Sequence, residues 1–393
     1  MQASRLHVAI VVPPLSGHVY PALSVARALA AAGHRVTFVT HVKYRPLAES
    51  VSAVLVPTTV PYDALSDGFV TDPVVGPILS VIMAGNAEIS ADLDDLVRHF
   101  QRDRVDVICV GYASQIGFPL ADRLAVPRVT LYSTYAWNKQ VENDIYGNFG
   151  SREELTAAIT RRNQLAEDLG FCAHAVPFGP ASSVNLVAIP QFFQYYPECF
   201  GDDYVFMGPS IDAHPGVGPW KPKFRDRPLL YVSLGTTYND NVEFFRSCIE
   251  WFGGGEFEVA MSVGNRVAIE ELGRVPVNVE VRRTFPQISV LNNATVFLSH
   301  AGMGSTMEAL LAQVPVVAVP QQGDQRLNAR KIQELGLGAD CSSTGPLDMA
   351  TVAHAVKHVL VDSTFGDRLR LRSAEIRASN GVLAGIQAIE SLC

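Results

Sequence analysis

Charge is scarce in this sequence. Only 18% of the 393 residues are charged, and 31 basic side chains stand against 39 acidic ones, for a formal charge of -8. Without a basic surplus the chain has no electrostatic footprint for a nucleic acid or an anionic membrane surface, so neither is the expected partner. Long apolar runs are missing too. Residues 77–84 are among the longest, far short of the ~20 needed to cross a bilayer, and no membrane span is expected. After Arg5 the run Val8-Ala9-Ile10-Val11-Val12 is closed by Pro13 and Pro14, too short for a secretory core of about 7–15 residues, so the expected location is cytoplasmic. The six cysteines (Cys109, Cys172, Cys199, Cys248, Cys341, Cys393) are scattered, with no C-x-x-C and no Cys/His cluster at zinc spacing. This excludes a disulfide scaffold, gives no metal site, and leaves them as reduced, mostly core residues.

What is present is apolar residue, 48% of the chain, with 30 Gly. That is enough for two or three domains of roughly 150 residues each. Residues 6–12 form a β-branched, nearly continuous apolar run, the mark of a strand buried on both faces. A glycine turn follows at Leu15-Ser16-Gly17-His18. Pro21 is read as the N1 proline of a helix whose apolar face carries Leu23, Ala26 and Ala30 and which stops at Gly33. The next strand is Arg35-Val36-Thr37-Phe38-Val39-Thr40, completing a βαβ unit. Strands at 105–110 and 128–132 flank a helix at 118–124. The pattern vanishes over 202–227, where 209–222 is dense in Pro and Gly, and this stretch reads as a linker. Strands return at 229–233, 257–262, 277–281, 296–299 and 316–319. The expected fold is α/β, with two Rossmann-like doubly wound parallel-sheet domains facing across a cleft. They occupy residues 1–208 and 228–375, joined by a linker at 209–227, and a C-terminal helix lies at 376–393. Ligands of open α/β sheets bind beyond the carboxyl ends of the strands.

Chemistry concentrates after the strand Val296-Phe297-Leu298-Ser299. There His300-Ala301-Gly302-Met303-Gly304-Ser305-Thr306-Met307-Glu308 opens a helix. Two glycines let backbone N–H groups approach a phosphate at the positive helix end, and His300 adds a donor. A purely structural reading stands beside this one. In it, Ser305 and Glu308 form a capping box and the glycines merely allow a tight turn.

Phe285-Pro286-Gln287 lies upstream, and Pro315-Val316-Val317-Ala318-Val319-Pro320 followed by Gln321-Gln322-Gly323-Asp324-Gln325 lies downstream. This order resembles the donor-binding signature of the UDP-glycosyltransferases, transferases with two Rossmann-like domains (the GT-B fold), and among them the bacterial macrolide and antibiotic glycosyltransferases. The similarity extends along the chain through Gly17-His18-Val19-Tyr20-Pro21, Ser233-Leu234-Gly235-Thr236 and Met261-Ser262-Val263-Gly264. It implies that His300, Gly302, Gly304, Ser305 and Thr306 hold the nucleotide pyrophosphate, assisted by Ser233 and Thr236. It further implies that Glu308 holds the ribose, that Phe285, Gln287, Ser262 and Val263 meet the base, and that Asp324 and Gln325 bind the sugar. These residue types suit those roles, since carboxylates accept from vicinal diols while amides and imidazole donate to phosphate. No cofactor beyond the nucleotide sugar is implied. The last helix is expected to cross back to the first domain.

The sequence departs from the pattern at three places. Thr284 stands where an aromatic ring often stacks on the base, which leaves uridine and thymidine both open. Gly304 replaces the Asn that precedes the phosphate-binding Ser in plant members. Most informative is Gly111, at the place where relatives supply an Asp to orient the catalytic histidine. The resemblance makes His18 that histidine, a base taking the acceptor's proton; on its own it reads better as a residue that merely satisfies a turn. Three explanations cover Gly111. Asp63, Asp67, Asp144, Tyr112 or Ser114 orients His18 instead, or the acceptor is acidic enough to need little help, or the member is repurposed. Asp106 starts the strand, about 16 Å from its tip, and does not substitute.

Aromatic stretches at 132–137, 146–149 and 192–196 suit an apolar acceptor or a core, and Ser151-Arg152-Glu153-Glu154 reads as a capping box. The leading expectation is an inverting transferase moving a hexose, glucose first, from a UDP-sugar to a hydroxyl of a small hydrophobic or aromatic acceptor such as a macrolide, polyketide or phenol. Its rivals are a dTDP-deoxysugar transferase, a lipid-linked N-acetylglucosaminyltransferase, a nucleotide-sugar epimerase and a non-catalytic nucleotide-sugar-binding helper.

Overall fold

The computed structural model describes residues 5–60, 75–138, 182–209, 219–224, 226–236, 239–321, 324–342 and 347–393, with a few positions between 140 and 168. Asp63, Asp67, Asp144, the aromatic stretch at 146–149 and the predicted capping box at 151–154 lie outside the described residues. The chain divides into two compact units, Met1–Pro215 with Ser379–Cys393, and Gly216–Ala378.

The first unit is built on β1 (His7–Val11), β2 (Arg35–His41), β3 (Val54–Thr58), β4 (Val107–Gly111), β5 (Arg128–Tyr132), β6 (Val184–Val187) and β7 (Tyr204–Phe206). They form one sheet in the order β3-β2-β1-β4-β5-β6-β7, with every pairing parallel. Burial on both faces is why β1 and β4 read as unbroken apolar runs. Val8 and Ile10 pack with Val19, Leu23 and Leu29 of the helix Ser16–Ala31, while Ala9 and Val11 face Leu93, Leu96 and Phe100 on the opposite side. Strand order reverses between β1 and β4, which makes their carboxyl ends the switch point of this sheet.

The first helix corrects one sequence reading. It begins at Ser16, so His18 sits in its first turn and Pro21 lies inside it. A proline there removes only the bond to the Gly17 carbonyl, one hydrogen bond of a 16-residue helix that continues through it. It ends as expected at Gly33 (φ +93°), where Gly33 N–H donates to Ala30 O and His34 N–H to Leu29 O. That is the paired closure for which glycine is suited. The terminal helix Gly381–Glu390 belongs to this unit. Its Ile386 and Ile389 join the core with Leu186 and Met207, and Glu390 meets His34 Nε2 at 3.0 Å.

In the second unit β8 (Leu229–Ser233), β9 (Glu258–Ser262), β10 (Val279–Arg282), β11 (Val296–Ser299), β12 (Val316–Ala318) and β13 (Gly338–Asp340) form a parallel sheet in the order β10-β9-β8-β11-β12-β13. Its switch point falls between β8 and β11. Residues within the carboxyl half of the expected linker are fastened to this unit. The buried Glu258 carboxylate accepts Lys223 N–H (2.6 Å) and Phe224 N–H (2.8 Å), and Ser289 Oγ exchanges hydrogen bonds with the Trp220 backbone. Among the described residues no helix is long and apolar enough to cross a membrane, and no group of three His, Cys, Asp or Glu side chains converges to hold a metal.

Candidate functional site

At the second switch point Ser233 ends β8, Ser299 ends β11, and the two are paired in register. The loops that follow them enclose the His300 imidazole. A Cβ on Gly235 would lie 2.5 Å from His300 Nε2, and one on Gly302 would lie 2.4 Å from the same atom. These two glycines therefore make room for a ring. The space at Gly302, expected to admit a ligand to the backbone, is taken up by the imidazole. Gly304 differs, since a Cβ there meets nothing within 4 Å. Between them Ala301 adopts φ +59° although buried, a conformation costing roughly 1–2 kcal/mol for a residue with a Cβ. Two bonds hold it, Ala301 N–H to Ser299 Oγ (3.1 Å) and Asn328 Nδ2 to Ala301 O (2.8 Å). Burial pulls the His300 imidazole down to about 4, so at neutral pH it is an uncharged ring.

The helix Met303–Leu311 starts with Gly302 as N-cap and no side-chain cap. Thr306 N–H reaches Gly302 O at 2.9 Å, so the N–H groups of Met303, Gly304 and Ser305 come before the first intrahelical donor. Orphan donors and the helix dipole together favour an anion at this point. The capping-box reading fails, because Ser305 is the third helical residue and not the cap. Its Oγ instead accepts from Gln287 Nε2 at 3.0 Å, and the same nitrogen donates to Glu308 Oε2 at 2.7 Å. Gln287 Oε1 accepts from Tyr231 OH at 3.1 Å. Gln287 thus ties β8 to the first turns of the helix and fixes the Glu308 carboxylate.

The other predicted residues differ in exposure and partners. Thr306 is 2% exposed and its Oγ1 is buried without a hydrogen-bond partner, so it faces the core. The Val263 side chain is wholly buried and its N–H donates to Arg282 O at 3.0 Å. Phe285 is 8% exposed, packed edge-on against Trp220 and Tyr231 with the Arg282 guanidinium 4.9 Å over its ring. Ser262 is half-buried at the tip of β9 and donates to Arg283 O (3.3 Å), while Thr236 and Thr284 are exposed. Asp324 and Gln325 start the helix Gln325–Glu334, with Gln325 Oε1 accepting Gln321 N–H at 2.8 Å. Two residues outside the predicted set support these loops. Asn239 donates to Gly235 O at 2.8 Å and occupies the space a Gly264 Cβ would need, and Asn328 holds Ala301. Neither stands in a motif, so only their folded positions reveal them.

In the first unit His18 Nδ1 lies 3.2 Å from Ser133 Oγ, on the loop after β5, and its ring is 5.3 Å from that of Tyr112 at a 33° tilt. Burial pulls this imidazole, too, down to about 4. Gly111 ends β4, and a Cβ there would meet Val12 Cγ1 at 2.9 Å. Ser114 is committed elsewhere, its Oγ accepting Gly117 N–H at 3.2 Å. Tyr112 meets His18 through its ring, and stacks in turn on Tyr132 and Trp137. Tyr135 and Phe193, from the aromatic stretches, are fully buried and parallel at 6.2 Å, and so belong to the core.

Comparison with known proteins follows the same lines. Residues 254–381 match the family model described as erythromycin biosynthesis protein CIII-like, C-terminal domain. The chain is 30% identical to the NDP-glycosyltransferase YjiC of Bacillus subtilis (strain 168), over 98% of this chain and 97% of that protein. It is also 30% identical to the demethyllactenocin mycarosyltransferase of Streptomyces fradiae, over 98% and 86%. Among solved structures, the calicheamicin glycosyltransferase CalG4 superposes with a TM-score of 0.80 at 27% identity, covering 99% of this chain and 98% of that one.

Proposed function

Given that this chain belongs to the glycosyltransferases of the NDP-sugar and macrolide type, we propose that it moves a hexose, glucose first, from a UDP-sugar to a hydroxyl of a small hydrophobic acceptor. The observation that carries the donor half is the cluster at the second switch point, where an uncapped helix start, a ring seated between two glycines and the Gln287-bound Glu308 stand together. The orphan N–H groups of residues 303–305 and His300 would donate to the diphosphate, and Glu308 would accept from ribose hydroxyls. In the transfer, His18 takes the acceptor proton, the acceptor oxygen bonds to the anomeric carbon from the face opposite the nucleotide, and the carbon–phosphate oxygen bond breaks with inversion. Charge then grows on the departing diphosphate, where fixed donors are worth most. A carboxylate and an amide at Asp324 and Gln325 suit a fully hydroxylated sugar.

A dTDP-sugar donor is the second reading, supported by a relative named for mycarose and left open by Thr284, which favours neither base. Calorimetry with UDP and dTDP, followed by transfer from the matching hexose donor to phenolic and macrolide acceptors, tests both. Binding of neither nucleotide would overturn the donor assignment. Turnover retained by His18→Ala would remove His18 from the chemistry.

A further inference from the structure

Resting on the reading of His18 as the base, the residues around its ring say what kind of acceptor it can serve. A histidine that takes a proton needs its ring oriented, its tautomer set and, where the acceptor is a weak acid, a negative charge to stabilise the imidazolium. The tip of β4 has no room for that charge. A Cβ at Gly111 would sit 2.9 Å from Val12 Cγ1 and 3.5 Å from Pro13 Cδ, and Val12 is a buried, β-branched side chain with no slack to yield. Among the described residues, what meets the ring is neutral. Ser133 Oγ lies 3.2 Å from Nδ1, and Tyr112 lies 5.3 Å away centroid to centroid. Tyr112 is backed by Tyr132 at 5.6 Å and Trp137 at 6.4 Å, both near-parallel.

We propose that Ser133 is the positioning residue for His18, in place of a carboxylate, and that this neutral arrangement restricts efficient transfer to acceptors with acidic hydroxyls, phenols and enols, over alkyl alcohols. When His18 Nδ1–H donates to Ser133 Oγ, Nε2 is the nitrogen left to take the proton. The serine fixes tautomer and ring plane, as a carboxylate would, but adds no charge to the imidazolium. The drive for proton transfer therefore has to come from the acceptor. Its O–H proton passes to Nε2, its oxygen forms the bond to the anomeric carbon, and the electron pair of the broken bond leaves on the nucleotide diphosphate. The imidazolium then returns its proton to water.

The test uses the full-length enzyme with the hexose donor whose nucleotide binds in calorimetry. A set of phenols graded in acidity serves as acceptors, together with an alkyl alcohol of similar size. The wild type is expected to show log kcat falling steeply as the phenol becomes less acidic, with the alkyl alcohol at least about 100-fold slower. Equal turnover of phenol and alkyl alcohol overturns the restriction. Ser133→Ala is expected to lower kcat about tenfold with the acceptor KM within about twofold, and Ser133→Thr, which keeps the hydroxyl, to recover most of it. Unchanged kcat in Ser133→Ala overturns the positioning role. So does a loss in which KM rises and the melting temperature falls with no recovery in Ser133→Thr, because that pattern marks packing. His18→Ala separates the two layers: if it still transfers sugar, the base reading itself fails, whereas an inactive His18→Ala beside an unaffected Ser133→Ala refutes only the serine.

Discussion

Replacing Gly302 by Ala isolates the seating of His300. The backbone at Gly302 has φ -61° and ψ 144°, a region open to any residue, so alanine brings no backbone strain. Its Cβ would stand 2.4 Å from His300 Nε2, 3.1 Å from Cε1 and 3.2 Å from Cδ2. The closest of these falls about 1 Å inside an ordinary contact. The ring has no retreat, since it already fills the space of a Gly235 Cβ at 2.5 Å. It must swing away from its preferred angle, which costs about 0.5–1.5 kcal/mol, or press on its neighbours for about 1–3 kcal/mol. Either way Nε2 leaves its place, and a hydrogen bond to a charged phosphate is worth about 1.5–3 kcal/mol. The expected result is a 10- to 100-fold weaker Kd for the nucleotide diphosphate by calorimetry, in a protein whose melting curve remains cooperative. An unchanged Kd would refute the claim that this imidazole is a phosphate donor. Gly304→Ala supplies the contrast. With nothing within 4 Å of its Cβ in a helical position, alanine is expected to raise stability by up to about 0.5–1 kcal/mol while weakening nucleotide binding. Greater stability with undiminished binding would mean that the diphosphate does not cross this helix start.

The remaining expectations concern the Gln287 bridge, the tip of β4 and acid stability. Gln287→Glu sets a second carboxylate where Nε2 now lies 2.7 Å from Glu308, and is expected to weaken nucleotide binding more than Gln287→Ala does; the reverse order would show that Glu308 is not held by this amide. Gly111→Asp is expected to lose about 1–3 kcal/mol of stability in chemical denaturation, because Val12 blocks its Cβ at 2.9 Å, and to give no faster transfer. Stable, accelerated Gly111→Asp would show that the tip does hold a carboxylate. Burial draws His18 and His300 from 6.5 down to about 4, so folding favours their neutral forms. Their contribution is complete above the unfolded value near 6.5 and is lost as pH falls from there through about 4. A double His18→Gln, His300→Gln variant should therefore lose less melting temperature on acidification across that window, and an identical loss would contradict the burial argument.

Legibility in the sequence followed the strength of the local signal. Strands β1, β2, β4, β5, β8 and β11 are central and covered on both faces, so their apolar runs announced them. β13 is Gly338-Ala339-Asp340 and β7 only Tyr204-Val205-Phe206. Such short segments carry no periodicity and exist because a neighbouring strand offers a ladder. The helix Gln325–Glu334, with four charged residues among its ten, likewise has no long apolar stripe to display. Helix starts were the weakest point, as Pro21 shows. The glycine at N1 or N2 of a pattern is less visible than the proline, yet the chain entered the helix five residues earlier.

The sequence alone determined the class of the fold and the order of its chemistry. Apolar runs spaced by helical segments encode two parallel sheets, and the run from His300 to Glu308 encodes a glycine-bearing helix start, because both depend on residues adjacent in the chain. Tertiary structure decided which of those residues act together. Gly235 and His300 are 65 positions apart in number, yet one is glycine because the other's ring lies against it. Gln287 reaches Glu308 across a strand and a loop, Val263 and Thr306 turn inward, and Ser133 meets His18 from another strand end. Those contacts arise only when parallel strands bring their carboxyl ends side by side at a switch point, and no local pattern records which side chains will meet there.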